Sequence, residues 1–434
     1  MPNPHVPQLT GRVVVDDLND GDAIVVVDGD VTTPAGFRAA GATAGLKASG
    51  APDIALVVSD RDASAAGVFT RNAFAAAPVR LDRAALASSG GWARVIVANS
   101  GNANAVTGPA GDAAAAAMQR AAAEAVGCPP DRALVLSTGV IGVPLDVAKV
   151  QRGIAAAHAG LAADGGAAAA RAILTTDTRT KTAARRVRLS GGDITIGGMA
   201  KGAGMIHPDM ATMLAVLSSD VARAPEDLAA DLRAAVDVSF NRISIDGDTS
   251  TNDSVLLLAN GAAGVGIATA GDADTWAMAL VDICQDLARQ IVRDGEGVRK
   301  LAVITVAGAA DDQDARRVAN TIATSPLVKT AFAGGDPNWG RIVAAAGRAG
   351  ATVDAARVAL SFAAGERDVA GSAAPLVVLA NGLPTGYDEA AAAAILSGDT
   401  FRVRLDLGLG DGAATVWTGD LTAEYVRINA DYRT

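Results

Sequence analysis

Nine short runs rich in Val, Ile or Leu punctuate the chain, at 55–59, 94–98, 133–137, 193–196, 254–258, 302–306, 359–362, 376–379 and 401–405. Each is bounded by Gly, Asp or Asn, the composition of a buried strand between turns. Helical patterns lie between them, at 112–126, 146–157, 226–238, 274–292 and 314–324, the last stopped by Ser325-Pro326. The Ala-Gly stretch 162–170 reads as a helix with a glycine break. Strands alternating with helices of this length predict layered α/β architecture. Only 3% of the 434 residues are aromatic while 50% are apolar. Alanine, valine, leucine and glycine must therefore fill the core, which demands close layers. Residues 1–22, Pro- and Asp-bearing, read as a poorly ordered lead-in.

Charge and motif content exclude several classes of function. Lys and Arg number 37 against 47 Asp and Glu, a net charge of −10, with no basic stripe for nucleic acid. The N-terminus lacks a basic start followed by an apolar block, and no run of about 18 apolar residues exists. No membrane span is expected, and the default location is the cytoplasm. Cys128 and Cys284, in unrelated contexts, make neither a disulfide framework nor a CxxC site. The three histidines, His5, His158 and His207, have no ligand spacing, which argues against a His-rich metal site though not against a carboxylate one; no metal is assigned. Asp246-Gly247-Asp248 with Asn252-Asp253 resembles half a calcium loop without its terminal Glu, and a polar turn is the stronger reading. The glycines and lysine of 197–202 lack the order of a phosphate-binding loop. No cofactor is expected.

The stretch KGAGMIHPDMATML at 201–214 raises a different chemistry. A Ser-His-Asp triad would need His158 or His207 as base, and His207 stands before a proline in what reads as a turn. Cutting the Ala211–Thr212 bond needs no histidine. It would give Thr212 a free α-amine with a pKa of about 7.7–8.0, able to take the proton from its own hydroxyl. Such a nucleophile needs oxyanion donors. Thr138 and Gly139, ending the apolar run from 133, offer a hydroxyl and an amide. From composition alone the plainer reading, that Thr212 merely opens a buried strand, is the favoured one.

Eight further segments accompany it in order: VTTPAGFRAAG to GVFTRN at the front, ANSGNANAVTG at 98–108, LSTGVIGVPL at 136–145, TTDTRTK at 175–181, FNRISIDGDTSTNDSVLLLANG at 240–261, VRDGEGVRK at 292–300, GDPNWGRI at 335–342 and the terminal YVRINADYRT. Together they resemble the ornithine acetyltransferase (glutamate N-acetyltransferase) family over about residues 25–434. The resemblance implies a layered αββα core with a smaller α/β domain, in a self-cleaving enzyme of the N-terminal-nucleophile type. It implies cleavage between Ala211 and Thr212 into an α chain 1–211 and a β chain 212–434. Domain limits of 23–310 for the core and 311–434 for the smaller unit are expected.

The resemblance also implies roles. Thr212 is the acetyl-accepting nucleophile, and Thr138 and Gly139 are the oxyanion donors. Thr175, Lys201, Thr212, Glu296, Asn429 and the terminal Thr434 are the substrate contacts, with Thr176 adjacent to Thr175. Lysine suits a substrate carboxylate and glutamate an amine. The plain alternatives are a solvated loop charge for Lys201 and an exposed turn for Glu296. The implied reaction is ping-pong transfer from N-acetylornithine to glutamate in arginine biosynthesis, with acetyl-CoA as a second donor left open. The implied assembly is (αβ)2 or larger. Departures from the family pattern are Val143 where Glu is common, Asp209 where Asn is usual and Val106 where Cys is frequent. Two other classes compete: an N-terminal-nucleophile aminopeptidase or amidase, and an uncleaved binding paralogue.

Overall fold

The computed structural model describes residues 23–207, 213–367, 369 and 372–431. The lead-in 1–22 lies outside the described residues. All nine expected runs fall inside strands; 55–59 belongs to the long strand Ile54–Phe69 and 133–137 to Ala133–Val140. The expected helices are present with shifted ends. The segment 274–292 begins earlier, at Ala270, because Thr269 and Asp272 form a reciprocal capping box. The segment 146–157 is the helix Val147–Ala159, with Asp146 capping the Lys149 amide at 3.0 Å. The stretch 162–170 yields a single short helix, Gly166–Ala172.

Apolar runs do not reveal every strand. Lys181–Leu189, KTAARRVRL, looks polar, yet it lies inside the larger sheet. Its Arg185 is buried and ion-paired with Asp282 and, at 2.8 Å, with Asp286 of the helix Ala270–Arg293. A buried cation survives only with such partners, and the partners are about 100 residues away.

Among the described residues, nine strands form the larger sheet. Eight run in the order Ile24–Val27, Lys181–Leu189, Gly192–Lys201, Leu214–Ser219, Ser254–Ala259, Ile54–Phe69, Trp92–Asn102, Ala133–Val140. Phe37–Ala42 also pairs with Ile54–Phe69. That strand breaks register between Val58 and Ala63; its first part pairs chiefly with Trp92–Asn102 and its second with Ser254–Ala259. The sheet thereby becomes two faces packed on each other. Ala55, Val57, Ile96 and Leu134 from one half share a core with Met199, Leu214, Val216 and Leu256 from the other. The alternate residues face outward, as a strand's period of two requires. Leu56, Val58, Val97 and Val135 pack under the helices Gly108–Val126 and Val147–Ala159. Val255, Leu257 and Leu217 pack under Pro225–Asp237 and Ala270–Arg293. The layers are therefore helix, sheet, sheet, helix, the expected αββα core.

A second sheet orders Leu383–Pro384, Leu376–Ala380, Ala359–Ala364, Thr400–Asp406, Leu301–Ala309, Gly412–Gly419 and Ile243–Ser244, with its own apolar core. Leu301, Val303 and Trp417 also join the larger core, so the units share packing. No helix among the described residues is long and apolar enough to cross a membrane.

Candidate active site

Several chain regions, distant in sequence, converge at one end of the larger sheet, around an open cleft of about 130 Å³. That is several times the ~30 Å³ share of one water, room for a small polar molecule. Thr138, Gly139, Thr175, Thr176, Lys201, Glu296 and Asn429 all border it. Ala211, Thr212 and Thr434 lie outside the described residues.

The strand Ala133–Val140 delivers Thr138 and Gly139 beside Trp92–Asn102, where the parallel register breaks at Gly101 and Asn102. Gly139 has φ +131°, and a Cβ there would sit 2.4 Å from the Gly101 carbonyl carbon. Only glycine permits that approach. The Thr138 hydroxyl lies 3.3 Å from Lys201 Nζ.

Lys201 ends the strand Gly192–Lys201 and is 3% exposed, which overturns the solvated-charge alternative. Its ammonium donates to Thr175 Oγ1 at 2.8 Å and lies 3.9 Å from Asp177 Oδ2. Burial pulls its pKa down, and Asp177 opposes that pull. Asp177 accepts from Lys181 Nζ and from the Gly202 amide, each at 2.7 Å. Burial pushes the Asp177 carboxyl up, but the charges of Lys201 and Lys181 hold it well below the usual carboxylate range. Lys181 also reaches Asp294 at 2.6 Å. A buried chain of alternating charges thus anchors Lys201. Of the two adjacent threonines, Thr175 makes the lysine contact.

Glu296 is also buried, so the exposed-turn alternative fails for it. It follows the helix Ala270–Arg293, donates its amide to the Ala203 carbonyl at 2.7 Å and accepts from Asn429 Nδ2 at 2.9 Å. Gly204 makes room for it: a Cβ there would meet Glu296 Oε2 at 2.6 Å. Asn429 comes from the helix Ala423–Asp431, which also sends Tyr425 to Asp246 at 3.3 Å. Lysine thus stands with Thr138 and Thr175, and Glu296 with Asn429, in one cleft.

Motif reasoning did not single out Asp177 and Tyr425 as site residues, and it treated Asp246 and Asn252-Asp253 as turn. Asp246 receives the Met205 and Ile206 amides at 2.5 and 2.9 Å, so it fixes the loop leading toward residue 208. Asn252 borders the cleft and Asp253 is fully buried. The sequence signal was present, a dense polar run directly before an apolar strand, but only packing tells a binding loop from a solvated turn. Among the described residues no cluster of His, Cys, Asp and Glu suited to a metal occurs. His207 Nδ1 lies 3.5 Å from Ser244 Oγ, and that hydroxyl also reaches the Ile206 carbonyl at 3.2 Å.

Comparison with known proteins adds to this geometry. The model of the ArgJ family matches residues 38–434. The arginine biosynthesis bifunctional protein ArgJ of Symbiobacterium thermophilum is 49% identical over 410 residues, covering 94% of this chain and 99% of its own length. The protein of the same name from Thermosynechococcus vestitus is 47% identical over 425 residues, covering 94% and 99%. A crystal structure of ornithine acetyltransferase from Mycobacterium tuberculosis, complexed with ornithine, is 42% identical, covers 43% of this chain and 98% of its own, and superposes with a TM-score of 0.40.

Proposed function

Because the chain belongs to the ArgJ family, we propose that its cleft carries acetyl from N-acetylornithine to glutamate through Thr212. The chain is an acyltransferase of arginine biosynthesis. Membership favours transfer over the aminopeptidase or amidase reading. The observation that carries the site assignment is convergence. Thr138, Gly139, Thr175, Lys201, Glu296 and Asn429, spread over almost 300 residues of chain, border one cleft. The pairing of Leu214, two residues after Thr212 in sequence, with Lys201 supports including Thr212 in this proposal.

The chemistry follows from those groups. Cleavage between Ala211 and Thr212 frees the Thr212 α-amine. As Thr212 Oγ attacks the acetyl carbonyl, that amine takes the hydroxyl proton. The Thr138 hydroxyl and Gly139 amide hold the oxyanion that forms. The α-ammonium returns its proton to the departing nitrogen, the C–N bond breaks, and ornithine leaves an acetyl ester on Thr212. The amine of glutamate then attacks the ester, passing a proton through the same α-amine back to Thr212 Oγ. N-acetylglutamate departs and the enzyme is restored. Lys201 pairs with a substrate carboxylate and Glu296 with an amine; Thr175 and Asn429, bonded to those two side chains, are further substrate contacts, as is Thr434. Acetyl-CoA enters as a second donor to the same Thr212. The cleaved α and β chains assemble as (αβ)2 or larger in the cytoplasm.

The test is incubation with N-acetylornithine and glutamate, with and without acetyl-CoA, followed by intact mass. Two fragments breaking at residues 211 and 212, and a transient adduct of about 42 Da on the β chain, the covalent acetyl intermediate, are expected. An active, unbroken chain of 43.1 kDa would refute the reading.

A further inference from the structure

Asn252 and Asp253 are adjacent in sequence, and each is tied to a different half of the catalytic apparatus. Asp253 Oδ1 accepts from the Met213 amide at 3.0 Å. That nitrogen is covalently bonded to the carbonyl carbon of Thr212. Asn252 Nδ2 donates to the Ser137 carbonyl at 2.8 Å and to the Ala103 carbonyl at 2.6 Å. The Ser137 carbonyl belongs to the peptide that leads into Thr138. The amide's orientation is set, because Thr251 Oγ1 donates to Asn252 Oδ1 at 2.6 Å.

The loop itself is held rigidly. The Thr70 amide donates to the Asp253 carbonyl at 2.9 Å, and the Thr70 hydroxyl to the Ser250 carbonyl at 2.8 Å. Ser254 Oγ closes back on the Asn252 carbonyl at 3.0 Å, and the Ser254 amide donates to the Met213 carbonyl at 3.2 Å. From there Ser254–Ala259 runs parallel to Leu214–Ser219 in register. We propose that Asn252-Asp253 is a positioning pair: one loop that grips the Thr212–Met213 peptide with one side chain and the Ser137–Thr138 peptide with the next, and so sets the distance between nucleophile and oxyanion donors.

Two further observations support it. Asp253 is fully buried, and among the described residues its Oδ2 has no hydrogen-bond partner, an unfavourable arrangement that hydrophobic packing alone would not retain. Burial pushes its carboxyl well above the ordinary range, while Oδ1 holds the Met213 amide. The cut at 211–212 also leaves Ser137 in the α chain and Asn252 in the β chain. The Asn252 bonds then stitch the two fragments at the cleft.

The inference rests on the assignment of Thr212, Thr138 and Gly139 made above. It is tested with full-length Asp253→Leu, Asp253→Asn, Asn252→Ala, Asn252→Ser and Thr212→Ala. Each is read for cleavage rate, kcat, KM and Tm. A misplacement of about 1 Å at a reacting centre costs on the order of 10²-fold. Asp253→Leu and Asn252→Ala are expected to lose about that much in kcat and to slow cleavage, with KM within about twofold. Asp253→Asn retains an acceptor oxygen and should restore kcat and cleavage. If Asn252→Ala does not fold, Asn252→Ser, which keeps one donor, should fold with intermediate kcat. Folded Asp253→Leu and either folded Asn252 variant with unchanged kcat, only Tm falling, would overturn the proposal. Transfer surviving in Thr212→Ala would instead overturn the nucleophile assignment.

Discussion

Replacing Gly139 by alanine isolates the oxyanion turn. A Cβ there would sit 2.4 Å from Gly101 C and 2.5 Å from Asn102 N, where ordinary contact begins at 3.4 Å. Both obstacles are backbone, so no side-chain rotation relieves them. One strand end must move by about 1 Å, and φ +131° is itself a strained setting for alanine. A shift of that size at the reacting centre costs on the order of 10²-fold in kcat, about 2.7 kcal/mol of barrier. The loss should fall on kcat with KM nearly unchanged, because the oxyanion exists only in the transition state. Gly142→Ala is the control from the same turn. It has φ +80° and nothing within 4 Å of its added Cβ, so it pays backbone strain without a collision. It should lower Tm by a few degrees and leave kcat within about twofold. The assay is steady-state acetyl transfer to glutamate on both variants, with melting to confirm folding. Folded Gly139→Ala at wild-type kcat would refute the assignment of this turn.

Further outcomes follow from the same structure. Thr212→Ala should migrate as one 43.1 kDa chain and show no transfer; denaturing gels and the coupled assay read both. Lys201→Ala should raise KM about tenfold or more, the worth of one charge-assisted contact, and an unchanged KM would remove Lys201 from the substrate site. Activity should fall as pH drops below about 8, because a protonated α-amine cannot accept the Thr212 proton; a flat profile from pH 6 to 9 contradicts that base. Asp253 has its pKa raised by burial. In acid both states hold the proton and Asp253→Asn should match wild type; as pH rises past about 4 only the unfolded carboxyl ionises, wild type weakens, and the variant's Tm advantage should grow.

Much of the architecture was legible in local pattern. Apolar runs such as 254–258 and capped helices such as Val147–Ala159 depend on neighbours a few residues away, so periodicity and end signals expose them. The identities of Thr138, Gly139, Lys201 and Glu296 stood out through motif order alone. Burial did not. Lys181–Leu189 looked too charged for an inner strand because the partners of Arg185 sit on a helix some 100 residues on. Asp177 read as one polar letter among threonines until two lysines closed around it. Chain order supplies the candidates for the proposed reacting groups, since their chemistry is intrinsic to the side chains. Their spacing comes from elsewhere: the fold-over of Ile54–Phe69 and the pairing of Ser254–Ala259 with Leu214–Ser219 bring the loop at 252–253 against both Ser137 and Met213. Such contacts are non-local hydrogen bonds whose free energy depends on every layer packed around them, and no window of sequence contains that information.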